Sequence, residues 1–141
     1  MAESNEGLKL GKGAYFVKSR LRRLPQTDDE WQVDFQPFIP RSRRRKQEWL
    51  GFVLSQTDDF LLSEVFLEDP PTVNDLARLL AGAMRRPLID RPHRPKKVLV
   101  RDNRPWQEIL PDLKGIKNEV VIRDALSQWD REFRDGVEQL A

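Results

Sequence analysis

The stretch from Trp31 to Leu67 constrains the fold most, because it packs three strand-like runs between short connections. "WQVDFQPF" alternates, with Trp31, Val33 and Phe35 on one face and Gln32, Asp34 and Gln36 on the other. That is the two-residue period of a strand. Pro37 is expected to limit how far its pairing continues. "EWLGFVLS" is apolar nearly throughout, as expected of a strand covered on both faces. "QTDD" has turn chemistry, and "FLLSEVFLE" reads as the third strand. Short connections of this kind join antiparallel neighbours.

The pattern then changes. Thr72, with Asp75 three residues on, predicts a helix start with an approximate capping box. Val73, Leu76, Ala77, Leu80, Ala83 and Met84 follow at helical spacing. "RRPLIDRPHRPKK" is a proline-rich loop, "KVLVRD" a short buried strand, and "NRPWQEILPDLKG" a short helix with Pro105 near its start, Pro111 as breaker and Gly115 as terminator. "NEVVIRD" is a fifth strand. Leu126, Trp129, Phe133, Val137 and Leu140 trace the narrow apolar stripe of a final amphipathic helix. The order is β-β-β-α-β-α-β-α. Two hairpins followed by two right-handed crossovers predict an α+β protein with a mixed five-stranded sheet in the order 3-2-1-4-5. Residues 31–141 are expected to form a single α/β domain. Residues 1–30 read as an N-terminal extension, with a short hairpin around Gly11 and Gly13.

A chain of 141 residues suits one domain, and four Trp with seven Phe provide apolar area for its core. There is no cysteine, which excludes disulfides, thiolate metal sites and a cysteine nucleophile. No apolar run approaches the roughly 18–20 residues of a membrane helix, and "MAESNEGLKLGKG" lacks the apolar centre of a signal peptide. A soluble, cytoplasmic protein with no membrane contact is expected.

Net charge is only +2, yet the charges are segregated. Arg41, Arg43, Arg44, Arg45 and Lys46 form the sharpest cationic run, on the loop between the first two strands. Arg91, Arg94, Lys96 and Lys97 are expected to continue that patch. Such a surface suits a phosphate backbone or an acidic protein partner. The plainer alternative is a solvated loop that blocks edge pairing.

At "WQVDF" the chain resembles the catalytic core of retroviral integrases and related transposases, within the ribonuclease H-like superfold. That family carries its first catalytic aspartate in a W-x-x-D stretch on strand 1, matched here by Trp31 and Asp34. Its second ends strand 4 and is often followed by asparagine, matched by Asp102 and Asn103. The resemblance covers roughly residues 31–141. Where the family has a glycine after the asparagine, this chain has Arg104. The family's third acid is a glutamate early in the last helix. Glu138 has the family's spacing from Asp102 but falls at the far end of that helix, whereas Asp124 directly follows strand 5. The "RPKKVLVRD" stretch is also similar to one in small bacterial domains, many of them cyanobacterial, for which the resemblance implies no activity.

The resemblance implies that Asp34, Asp102 and Asp124 are the candidate catalytic residues, and the candidate ligands for Mg²⁺ or Mn²⁺. Two such ions would clamp the attacking and leaving oxygens of a nuclease or strand-transfer reaction. Three clustered acids would repel one another, and Asp34→Asn would then stabilise the fold. The alternative makes Asp102 and Asp124 helix-capping acids and Asp34 a solvent-facing residue on a half-open sheet. The expectation favoured here is a non-catalytic binding module with no cofactor, contacting nucleic acid or an acidic protein surface. His93, the only histidine, reads as a surface residue of a proline-rich loop. No G-x-S-x-G setting accompanies it to suggest a serine triad. "GKG" at 11–13 lacks the context of a phosphate loop. Trp129 and Phe133 read as core, and Trp106 as partly exposed.

Overall fold

The computed structural model describes residues 20–40, 46–108 and 118–140, together with Pro111 and Lys114. The expected hairpin around Gly11 and Gly13, the cations Arg41, Arg43, Arg44 and Arg45, and Gly115 lie outside the described residues.

The strands are β1 (Glu30–Phe38), β2 (Glu48–Ser55), β3 (Leu61–Leu67), β4 (Lys97–Arg101) and β5 (Glu119–Arg123). The helices are α1 (Val73–Arg85), α2 (Arg104–Gln107) and α3 (Ser127–Leu140). They form a five-stranded sheet in the order β3-β2-β1-β4-β5, as the succession of elements predicts. β1 is antiparallel to β2 and β2 to β3, while β1 and β4, and β4 and β5, run parallel.

Alternation along β1 divides the core into two layers. Trp31, Val33 and Phe35 join Val98, Val100 and the α1 residues Leu76, Leu80, Ala83 and Met84 on one face. On the other, Phe52, Leu54 and Leu99 pack against Leu126 and Trp129. Trp129 lies flat on Phe52, with ring centroids 4.2 Å apart, and its indole N–H donates to the Phe52 carbonyl at 2.8 Å. The α1 N-terminus carries the full capping box. The Thr72 hydroxyl accepts from the Asp75 N–H at 3.1 Å, and the Asp75 carboxylate accepts from the Thr72 N–H at 2.8 Å.

One local expectation needs correction. Pro37 does not stop the β1–β2 pairing, which continues to Phe38 opposite Glu48. Pairing with β4 covers only Glu30–Val33. The second half of β1 therefore has a neighbour on one side only, a setting that tolerates proline. Of the described residues before β1, Leu21 is buried in the α1-side core, and Gln26 bridges to Arg94.

Candidate functional site

The parallel strands β1 and β4 part after the Val33–Val100 pair. Beyond that point lies the carboxyl end of the sheet, where parallel folds place their sites. Asp34 is the first β1 residue past the fork, and Arg101 is the last residue of β4. Strand alternation points both toward α3.

Asp34 is fully buried, at 0% exposure. Its Oδ1 accepts from the indole Nε1 of Trp106 at 2.7 Å. Its Oδ2 accepts from Arg101 Nε at 2.6 Å and from Gln36 Nε2 at 2.7 Å. A buried carboxylate is tolerable when paired and hydrogen-bonded in this way. The Arg101 guanidinium continues to α3, donating through Nη2 to Asp130 Oδ1 at 2.5 Å and through Nη1 to Oδ2 at 3.5 Å. It also lies 6.0 Å from the Trp129 ring centroid. Burial works to lower the Arg101 pKa, but hydrogen bonds and charge from Asp130 and Asp34 outweigh it and hold the guanidinium above its usual value.

The other two acids sit elsewhere. Asp102 is exposed, and its carboxylate accepts from Gln107 Nε2 at 3.1 Å, closing the short turn of α2. Asp124 is exposed at the bend after β5. Among the described residues, no group of three acids and histidines is placed to hold a metal ion. A divalent ion does not fit at Asp34 as the chain stands. Both oxygens are already engaged, and a guanidinium occupies the side from which a cation would approach. Asp34 therefore does not face solvent on a half-open sheet, and Trp106, at 3% exposure, is not partly exposed.

The basic residues separate into two groups. The run Arg41–Lys46 connects the end of β1 to the start of β2, and its described member Lys46 is exposed, 3.8 Å from Glu68. Lys97 lies opposite Glu30, at the other end of β1, and pairs with its carboxylate at 3.9 Å. A nine-residue strand spans about 25–30 Å, so Arg91, Arg94, Lys96 and Lys97 lie well away from Lys46, the described cation of the loop. Arg94 is buried, donating through Nε to the Leu24 carbonyl at 3.0 Å. Arg91 and Lys96 are exposed. On the loop's side of the molecule, Arg104 and Arg123 are exposed at the ends of β4 and β5.

A second polar centre, at the start of β1, escapes the sequence. Asp29 is buried. Its Oδ1 accepts from the Ser55 hydroxyl at 2.7 Å and its Oδ2 from Trp31 Nε1 at 2.8 Å. His93 is buried too, at 4% exposure, so it is no surface residue. Its Nε2 lies 3.3 Å from Asp29 Oδ2 and its Nδ1 2.7 Å from the Arg91 carbonyl. Burial pushes the Asp29 pKa up, but the bonds from Ser55, Trp31, His93 and Thr57 prevail and hold it below the ordinary carboxylate value. Serine, histidine and aspartate do meet here, but in the wrong order for a triad. Ser55 donates to the aspartate, so no base is set to activate it. A cleft of about 400 Å³ opens beside this centre, lined by Asp28, Thr57, Asp58, Asp90 and Arg91 among others. The signal available in sequence was the Asp28–Asp29 pair in "PQTDDE", with Asp29 directly before the strand.

The sequence matches no protein-family model and no curated protein. Solved structures do match. A chain of the simian T-cell lymphotropic virus intasome, solved in complex with a PP2A regulatory subunit, is similar at 13% identity and a TM-score of 0.61, over 79% of this chain and 38% of that one. The catalytic core of HTLV-2 integrase with magnesium is similar in two forms. The dimeric form gives 11% identity and a TM-score of 0.58, and the trimeric form 11% and 0.56. Each covers 79% of this chain, and 68% and 67% of the respective core. The chain thus spans well under half of the intasome chain and about two thirds of the isolated cores. It has the ribonuclease H-like fold of a retroviral integrase core. Among the described residues no helix is long and apolar enough to cross a membrane.

Proposed function

We propose that this protein is a non-catalytic binding module on a ribonuclease H-like scaffold, and that it engages nucleic acid or an acidic protein surface. One observation carries the non-catalytic part. Asp34, which holds the family's first acid position, spends both carboxylate oxygens on Arg101, Trp106 and Gln36. The partner's chemistry follows from Arg41, Arg43, Arg44, Arg45 and Lys46 in the β1–β2 connection. Arg104 and Arg123 are exposed at the same end of the sheet. Arg91 and Lys96, at the opposite end, have no part in this surface.

Binding across a salt series tests the reading, with a labelled single-stranded oligonucleotide, a duplex and an acidic peptide as probes. Each phosphate contact should contribute a slope of roughly −0.7 to −0.9 in log affinity against log salt. Replacing Arg43, Arg44 and Arg45 together with serine should flatten that slope. Binding that ignores salt, or none to any probe, counts against the basic loop.

A second reading is a Mg²⁺- or Mn²⁺-dependent nuclease or strand-transfer enzyme using Asp34, Asp102 and Asp124, which would require a rearranged state in which Arg101 releases Asp34 and the two exposed acids turn toward it. It is favoured by the likeness to a core solved with magnesium. Cleavage of any of the same oligonucleotides with Mn²⁺, abolished by Asp34→Asn, would establish it over the binding module.

A further inference from the structure

The integrase-like fold implies a divalent cation at the acid on β1, and the residues of this chain do not suit one. That disagreement is informative, because the position still holds positive charge. We infer that the Arg101 guanidinium is a built-in cation standing in the metal's place, joining β1 to α3, and that removing it uncovers a site for a soluble divalent ion.

The inference rests on the surroundings of one side chain. Asp34 has no exposure to solvent, so its charge requires a partner inside the protein. The partner comes from the strand that the fork leaves nearest, since Val33 pairs with Val100 and the next residues are Asp34 and Arg101. A metal ion would also draw an acid from the covering helix. Here Asp130 of α3 takes that role toward the two Nη atoms of Arg101. Nε serves β1 while the Nη atoms serve α3, so one planar group crosslinks sheet and helix with directed bonds. Lysine has one point charge and cannot reproduce this division. Trp106 and Gln36 occupy the remaining reach of the Asp34 carboxylate, so wild-type Asp34 offers a free ion nothing. Without Arg101, two carboxylates from different elements face one gap. Paired acids with no cation between them are the chemistry of a divalent oxygen-donor site.

The inference concerns the same acid as the proposed function, but its test needs no partner, so either can fail alone. Thermal melting is compared for wild type, Arg101→Ala, Arg101→Lys and Arg101→Ala/Asp130→Asn, each with and without 10 mM MnCl₂ on the order of a weak site's Kd. Wild type should show no change with Mn²⁺. Arg101→Ala should melt about 10 °C lower, as expected when a buried charge loses its partner. Mn²⁺ at that concentration should then restore about 1–2 °C of that loss, and the gain should vanish in the double variant. Arg101→Lys should fall between, without a Mn²⁺ response. If Arg101→Ala fails to fold, Arg101→Ala/Asp34→Asn should fold, because the unpaired buried charge is gone; failure of that variant as well would overturn the inference. So would a Mn²⁺ response in wild type, an Arg101→Ala melt equal to wild type, or an Arg101→Ala melt indifferent to Mn²⁺.

Discussion

The indole N–H of Trp106 donates to the Asp34 carboxylate at 2.7 Å, across a sequence separation of 72 residues. This bond ties the turn after β4 to the middle of β1 and turns Asp34 inward. Trp106→Phe keeps one aromatic ring and removes the donor together with the five-membered ring that carries it. It should lower stability by about 1–2 kcal/mol, because the acceptor left behind is buried and charged. Urea unfolding followed by circular dichroism measures this, and an unchanged midpoint would mean that Oδ1 finds another donor.

Asp34→Asn should destabilise. Stabilisation was the expectation for an acid crowded by other acids, but Asp34 is surrounded by donors. The amide leaves Asp130 as the only charged partner of Arg101 and sets its NH₂ group against either Trp106 or the Arg101 and Gln36 donors. A loss of about 2–3 kcal/mol is expected, read from the same denaturation curves.

Most of the fold was legible because its signals are local. The alternation from Trp31 to Gln36, the apolar run of β2 and the Thr72–Asp75 box each specify an element without outside help. The strand order followed from connection lengths and crossover handedness. The site was half legible. Asp34 stood out as a carboxylate in an apolar strand, but nothing local says whether it faces a metal, water or a guanidinium. Arg101 looked like the residue before the interesting aspartate. Its role depends on the β1–β4 register, which sets it beside Asp34, and on Asp130, which sits next to Trp129 on the covering helix. His93 reads as a surface residue in the sequence because proline-rich loops usually lie outside. This one passes under the start of β1, where the His93 ring meets Trp31 edge-on, with centroids 5.4 Å apart.

Asp29 predicts an acid limit to stability. Its folded pKa lies below the ordinary value of 3.8. Between the two values the unfolded chain binds more protons, so stability against unfolding rises with pH there. The contribution is complete above about pH 4 and is lost as pH falls through the lower, folded value. Asp29→Asn should therefore unfold with a shallower pH dependence below about pH 4, measured by melting from pH 6 down to pH 2. A slope identical to wild type would remove Asp29 from the account.

Gly51 pairs with Phe35 across the β1–β2 ladder, and a methyl group at residue 51 would run into the Phe35 ring. Phe35 is buried at 2% exposure and has little room to retreat. Gly51→Ala should cost about 2–3 kcal/mol through overpacking, despite the better strand propensity of alanine. A neutral or stabilising result in thermal melting would show that the ring can turn aside.

The central claim is that the acid position of an integrase-like fold is held here by Arg101 and not by a metal. Crystals of the wild-type protein soaked in MnCl₂, with data collected at the manganese absorption edge, test it most directly. The account predicts no anomalous peak within coordination distance of Asp34, and the guanidinium in place between Asp34 and Asp130. A manganese peak bridging Asp34 and Asp102, with Arg101 swung away, would contradict it.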